Sequence, residues 1–288
     1  IPSNFPKPEY NFQNNPLTEE GFQLGRNLFY DPVLSRDSTI SCASCHLQFT
    51  GFAHVDHEVS HGIDGRKGNR NVPALINLAW NKFFHWDGGV NNLEVQGINP
   101  VTHPNEMDNS LEEVIFRLKN SDKYRLLFAG AFGDNEVTTA RIFKAITQFV
   151  VAVVSSDSKY DKVMRKEEGL FFTDQEKKGY KLFKSYCASC HTEPLFTNDF
   201  FASNGLKLDS NFLDYGRFGI TLDPNDKFLF KIPTLRNIEF TYPYMHDGRF
   251  STLKEVLEYY NEMDHNNEYV SKPLKKTFTL SENNKKDT

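Results

Sequence analysis

All four cysteines of this 288-residue chain fall in two copies of one string, Cys-Ala-Ser-Cys-His, at residues 42–46 and 187–191. Two thiols at this spacing can each bond covalently to a vinyl group of one haem. The histidine that follows then lies under the iron as its axial ligand. A zinc site drawing on all four thiols would have to join them across 141 intervening residues and would leave both histidines without a purpose. A dithiol redox centre calls for one such pair, not two. The pattern therefore implies two covalent haems c, attached through Cys42 and Cys45 and through Cys187 and Cys190, with His46 and His191 as proximal ligands.

Each motif must be carried to one face of its haem, and a repeat around the motifs indicates how. Leu17-Thr18-Glu19-Glu20 leads into Gly25-Arg26-Asn27-Leu28-Phe29 before Cys42. Phe172-Thr173-Asp174-Gln175-Glu176 leads into Gly179-Tyr180-Lys181-Leu182-Phe183 before Cys187. Thr173 with Glu176 is a capping box, so both segments read as helices running up to the attachment site. Apolar residues at helical spacing predict further helices over 137–152, 111–118 and 252–260. A short strand is expected within 228–232, and the polar tail after Ser271 carries no strong periodicity. The expected fold is mainly α, with two cytochrome c-like domains over 1–162 and 163–288 and Ser155-Ser156-Asp157-Ser158 leading out of the first.

A formal net charge of −5, from 33 basic and 38 acidic side chains, gives no reason to expect nucleic acid as a partner. The 26 Phe and 12 Tyr suit the flat apolar walls that a haem needs. The longest strongly apolar stretch, 149–154, is far shorter than the roughly 20 residues that span a bilayer. Covalent haem attachment takes place on the outer side of a cytoplasmic membrane, which points to the periplasm. A start at Ile1-Pro2-Ser3 is read as a chain whose export signal has been removed, soluble or held by a lipid anchor upstream.

The stretch after the first motif is too rich in specific polar groups for a haem that only stores electrons. It holds His54, His57, His61, Arg70-Asn71, Phe84-His85-Trp86-Asp87-Gly88-Gly89, Leu93-Glu94-Val95-Gln96 and Glu106-Met107. Cleaving peroxide requires an open or vacatable iron position and an acid–base group beside the bound oxygen. It also requires polar donors for the charge that develops. Glu106, or else Glu94, could move the proton, with Gln96 as a hydrogen-bonding partner.

Six strings bear a resemblance: Gly-x-Arg-Asn-x-Pro-Ala (68–74), Trp-Asp-Gly (86–88), Leu-Glu-x-Gln (93–96), Glu106-Met107, Pro-Thr-Leu-Arg-Asn (233–237) and Pro-Tyr-Met-His-Asp-Gly-Arg (243–249). Together they resemble the bacterial dihaem cytochrome c peroxidase superfamily, which includes the MauG branch, over nearly the whole chain. By that resemblance His46 serves a peroxidatic haem, Gln96 and Glu106 form its distal polar pair, and Trp86 lies on the electron path between the haems. His61 matches a loop histidine that many of these peroxidases place on the first iron at rest. The MauG-like branch leaves that position open, and the sequence does not choose between the two. Ser60, Gly62 and Gly65 suit a flexible loop in either case.

The family's sixth ligand to the second haem lies fourteen residues after the histidine of the Pro-Tyr-x-His string, which is Tyr260 here. That is a tyrosine where ordinary peroxidases have methionine. Met263 and Met245 stay open as alternatives, as does simple core packing of Tyr260. The resemblance also implies a calcium ion held by Asn71 and by the carbonyls of Thr241 and Pro243, and a homodimer. It implies peroxide reduction with electrons from a small soluble cytochrome c or a cupredoxin. The competing readings are a MauG-like oxidase acting on a protein or small organic substrate, and a plain electron-transfer cytochrome.

Overall fold

The Thr18 hydroxyl accepts the N–H of Gly21 at 3.0 Å and starts α1 (Glu19–Tyr30), with Glu19 and Glu20 in the first turn where the helix dipole favours negative charge. Gly21, Leu24, Gly25, Leu28 and Phe29 recur at helical spacing and form its buried face. This face packs against α7, described below. A side chain on Gly25 would run into the Ala145 carbonyl, so the glycine of the Gly-x-x-Leu-Phe string is what lets the two helices approach. Leu24 and Leu28 are fully buried there, each stabilising the packing by about 1.5–3 kcal/mol.

In this computed structural model, residues 1–276 and Leu280 are described. The rest of the polar tail lies outside the described residues. The chain forms two compact units. The N-terminal unit comprises Pro8–Phe84 and Val90–Val154. It holds α1, α2 (Cys42–Cys45), α3 (Leu93–Gln96), α4 (Ile98–Thr102), α5 (Leu111–Lys119), α6 (Asp122–Phe132) and α7 (Thr139–Val151). Two of the expected helices thus appear as α5 and α7, whereas α6 had no counterpart in the sequence reading. Its core gathers Leu24, Leu28, Val114, Leu118, Phe128 and Ile142.

The C-terminal unit takes in Ile1–Lys7, His85–Gly89 and the described chain from Ser155 onward. Its elements are α8 (Lys159–Met164), α9 (Asp174–Tyr186), β1 (Phe201–Ala202), α10 (Phe218–Thr221), β2 (Phe230–Lys231) and α11 (Leu253–Glu262). The capping boxes Thr173/Glu176 and Thr252/Glu255 start α9 and α11. The strand expected over 228–232 is the two-residue β2, antiparallel to β1 with Phe201 opposite Lys231. Among the described residues no helix is long and apolar enough to cross a membrane.

The boundary expected after residue 162 falls instead between Val154 and Ser155. The physical reason is Asp161 on α8. It forms a bidentate ion pair with Arg236 at 2.7 and 2.9 Å, with the two side chains 0% and 3% exposed. The same carboxylate accepts from Asn4 at 2.8 Å, and the Arg236 guanidinium stacks over Phe5. Residues 1–7 and α8 are thereby fastened into the C-terminal unit.

A second repeat accompanies the one around the haem motifs. Residues 73–95 match 233–255 at a constant offset of 160, from Pro73/Pro233 and Asn77/Asn237 through Asp87-Gly88/Asp247-Gly248 to Leu93/Leu253. The backbones agree. Asn77 and Asn237 both have φ of 57°, His85 and Met245 have φ of 64° and 75°, and Gly88 and Gly248 have φ of 68° and 70°. The bridges Phe84–Val90 and Tyr244–Phe250 close equivalent loops. Trp86 and His246 hold the same place in these two loops.

Candidate active site

Ser41 and Ser44 cap the single turn of α2, and the chain then leaves helical geometry at His46. The His46 Nδ1 lies 2.8 Å from the Phe52 carbonyl, which can only accept, so Nδ1 carries a proton and the neutral ring presents its lone pair at Nε2. Phe52 presents that carbonyl from left-handed backbone, φ 59°, an uncommon state for an aromatic residue. The Thr50 hydroxyl, donating to the Ala53 carbonyl at 2.8 Å, steadies the turn. Phe29, at the end of the first repeat, packs against Phe52 and Phe149 at ring distances of 5.9 and 4.9 Å and lies 6.4 Å from His46.

The second motif uses the same device. His191 Nδ1 lies 3.1 Å from the carbonyls of both Phe196 and Pro233, and Phe196 has φ of 54°. Phe183, the counterpart of Phe29, packs on Phe196 at 5.3 Å. Burial lowers the pKa of His191 and so keeps the imidazole neutral, as a metal ligand must be. None of the four cysteines is engaged in a disulfide. Burial pushes Cys42 up to about 12 and Cys45 and Cys187 up to about 11. A pair of cysteines, a histidine oriented by a backbone carbonyl and an apolar aromatic wall fit a covalently attached haem at each motif.

Glu106 stands on a tight turn after α4, closed by its own N–H to the His103 carbonyl and by Met107 N–H to the Pro100 carbonyl. Its carboxylate is close enough to Cys42 and Cys45 to raise both thiols, and burial raises its own pKa above the ordinary carboxylate range. Gln96 ends α3, half-buried. Glu94, the alternative acid, is engaged elsewhere: it accepts from the Tyr10 hydroxyl at 2.7 Å, and that hydroxyl in turn accepts from Asn15.

His61 also borders the first motif, its carbonyl 3.6 Å from Cys45 Sγ. The loop expected to be flexible is held as a hairpin. His61 bridges Lys67, Gly68 N–H donates to Ser60, and Arg36 and Arg66 both pair with Asp64 and Asp108. Ile63 N–H donates to the Glu106 carbonyl at 2.7 Å, and a side chain on Gly62 would strike Asn105 and Glu106, so the hairpin lies directly on the Glu106 turn. The rings of His54 and His57 pack beside His61, the nearest pair 4.5 Å apart.

At the second motif, burial raises the phenol of Tyr260 on α11, and Cys187 and Cys190 add to the shift. Asn204, which the sequence reading missed, directs Nδ2 at both Tyr260 Oη (3.5 Å) and Met245 Sδ (3.4 Å). Two of the three ligand candidates therefore meet at one amide. Met263, the third, caps α11 and is buried, its methyl toward Gly205. Trp86 lies in the C-terminal unit, its carbonyl accepting from Lys231 N–H of β2 at 2.7 Å. Gly88 in the same loop leaves no room for a side chain against Phe201 and Arg217. Of the residues expected around calcium, Asn71 is buried with its amide donating to the Glu58 carbonyl, and Pro243 is buried behind a cis Tyr242–Pro243 bond.

The carbonyls of Phe52 and Phe196 also escaped the sequence reading. Six and five residues after their histidines, they form the one spacing signal that could have found them. The family profile for di-haem cytochrome c peroxidases matches residues 19–169. The methylamine utilization protein MauG of Methylorubrum extorquens is 37% identical over 277 residues, 95% of this chain and 77% of that protein. The cytochrome c551 peroxidase of Nitrosomonas europaea is 36% identical over 251 residues, 86% of this chain and 74% of that one. A crystal structure of a MauG-like protein associated with microbial copper homeostasis aligns with a TM-score of 0.89 at 34% identity, covering 100% of this chain and 92% of the other.

Proposed function

The chain belongs to the di-haem cytochrome c peroxidase family and is an oxidoreductase acting on hydrogen peroxide, and on that premise we propose that it is a periplasmic peroxidase whose first motif is the peroxide site. A haem bound at each motif supplies the redox chemistry. This chain's residues orient it and handle protons. His46 and His191, each donating Nδ1–H to a phenylalanine carbonyl, hold their rings in one tautomer and direct Nε2 to the metal. Glu106 would hold and move the proton that peroxide cleavage needs, Gln96 would donate a hydrogen bond to the peroxide, and Trp86 would carry electrons between the two centres. A small cytochrome c or cupredoxin supplies the electrons.

The observation that supports this most is the half-buried Glu106 on a turn that carries the His61 hairpin, whose His61 carbonyl lies 3.6 Å from Cys45 Sγ. Burial favours the protonated form of this carboxyl over that of an exposed one, which suits the proton transfer a peroxide site requires and an electron relay does not. Glu106→Gln keeps the shape and removes the proton shuttle. Peroxide turnover with a reduced donor should fall by about 10²–10⁴-fold at unchanged haem content. A loss under tenfold would return the role to a water chain.

The MauG-like reading, peroxide-driven oxidation of a protein or organic substrate, draws on Tyr260 beside the second motif. An anionic oxygen ligand stabilises the more oxidised metal. Asn204 places Met245 at the same spot, and the spectrum of the second haem discriminates between them. A calcium ion held by Asn71 and the carbonyls of Thr241 and Pro243, and a homodimeric state, complete the proposal.

A further inference from the structure

Three donors converge on one carboxylate beside the second motif. The hydroxyls of Tyr160 and Tyr180 both donate to Glu193 Oε1 at 2.7 Å, and Lys184 Nζ donates to Oε2 at 2.6 Å. Glu193 follows His191 by two residues, and its side chain is only 14% exposed. Tyr160 also meets the ring of Phe196 edge-on at 4.8 Å. Phe196 is the residue whose carbonyl accepts the His191 Nδ1–H at 3.1 Å. The rings of Tyr160 and Tyr180 are 6.3 Å apart, and Tyr180 is half-buried on α9. The contacts thus run without a break from the proximal histidine through Phe196 and Tyr160 to Tyr180. The peroxidase reading does not use either tyrosine.

Packing alone explains why Tyr160 of α8 and Tyr180 of α9 touch, but it does not call for both hydroxyls on one charged oxygen. A phenol is hard to oxidise while it keeps its proton, because the radical cation left behind is a strong acid. A carboxylate already hydrogen-bonded to the hydroxyl removes that obstacle by taking the proton as the electron leaves. Both phenols already point their hydroxyls at one Glu193 oxygen at 2.7 Å while Lys184 holds the other at 2.6 Å, so either tyrosine has a carboxylate acceptor in place for its proton.

We propose that Tyr160 and Tyr180, sharing Glu193, form a redox-active pair that carries oxidising equivalents from the second haem toward the surface of α9. The inference rests on the peroxidase reading, since hydrogen peroxide is the oxidant. In the step, one tyrosine gives an electron to the peroxide-oxidised haem and its phenolic proton to Glu193, leaving a neutral phenoxyl radical and a neutral carboxyl. A one-electron donor at the surface, together with return of that proton, restores the starting state.

The test is electron paramagnetic resonance of the holoenzyme, frozen after mixing with one equivalent of hydrogen peroxide in the absence of a donor. Protein grown on ring-deuterated tyrosine identifies a tyrosyl signal by its narrowed hyperfine pattern. The wild type should give this signal, and Tyr160→Phe/Tyr180→Phe, which preserves packing, should lose it while its oxidised haem absorbance lasts longer. Glu193→Gln should lower the radical yield at unchanged haem content, since an amide does not take the proton. A tyrosyl signal of unchanged intensity in the double variant, or none in a wild type that consumes peroxide, overturns the pair alone. Haem absorbance that does not respond to peroxide overturns the peroxidase reading and the pair with it.

Discussion

Asp161→Asn removes one charge from the most deeply buried ion pair described in the C-terminal unit and changes almost no volume. The wild-type carboxylate accepts from Arg236 at 2.7 and 2.9 Å, from Ser158 at 2.7 Å and from Asn4 at 2.8 Å, and it is 0% exposed. The Arg236 guanidinium, 3% exposed, also donates to the carbonyls of Ser155 and Pro194 and stacks on Phe5 and Phe196. After substitution that guanidinium is left buried without a counter-charge, a change that costs about 3–5 kcal/mol.

Against a typical total of about 5–15 kcal/mol this is a large fraction, and it should lower the midpoint of thermal unfolding by about 6–20 °C. The assay is urea and thermal unfolding of the haem-loaded protein at neutral pH, followed by circular dichroism and by haem absorbance. Because Arg236 lies on Phe196, whose carbonyl orients His191, the haem signal of the second motif should respond together with the backbone signal.

The pH dependence gives a second reading. Burial pushes the Asp161 carboxyl up, but Arg236, Ser158 and Asn4 together hold it well below the usual range. A group whose folded pKa is depressed contributes stability that is present above its unfolded value, about 3.9, and is lost as pH falls toward the folded value. The gap between wild type and Asp161→Asn should therefore be constant near neutrality and shrink below pH about 4. A loss under about 1 kcal/mol at pH 7, the scale of an exposed pair, would refute the reasoning.

Further substitutions address electron flow. Trp86→Phe should leave the initial reaction of peroxide at the first haem nearly unchanged and slow electron transfer from the second in stopped-flow mixing of the half-reduced protein; an unchanged rate would make Trp86 a packing residue. Tyr260→Phe should shift the ferric spectrum and raise the potential of the second haem with the His191 linkage intact, and Asn204→Leu should produce a smaller shift in the same quantities. If Tyr260→Phe moves neither, Met245→Leu is the next substitution, and the oxidase reading loses its support.

Chemical identity was legible from local sequence. The two Cys-x-x-Cys-His strings are complete within five residues each, so their spacing alone specifies the attachment chemistry. Capping boxes such as Thr173/Glu176 and the apolar face of α1 are equally local, since hydrogen bonds and periodicity within one or two turns decide them. Partners distant along the chain were not legible. Arg236 and Asp161 are 75 residues apart, and nothing in either neighbourhood announces the pair that moves the unit boundary to Ser155. Asn204 meets Tyr260 across 56 residues, and Glu94 turns to Tyr10 across 84. Such contacts depend on how whole helices pack. Which carboxylate stays free beside Cys42, and which donors meet at Asn204, is therefore fixed only when the burial of many side chains is satisfied at once.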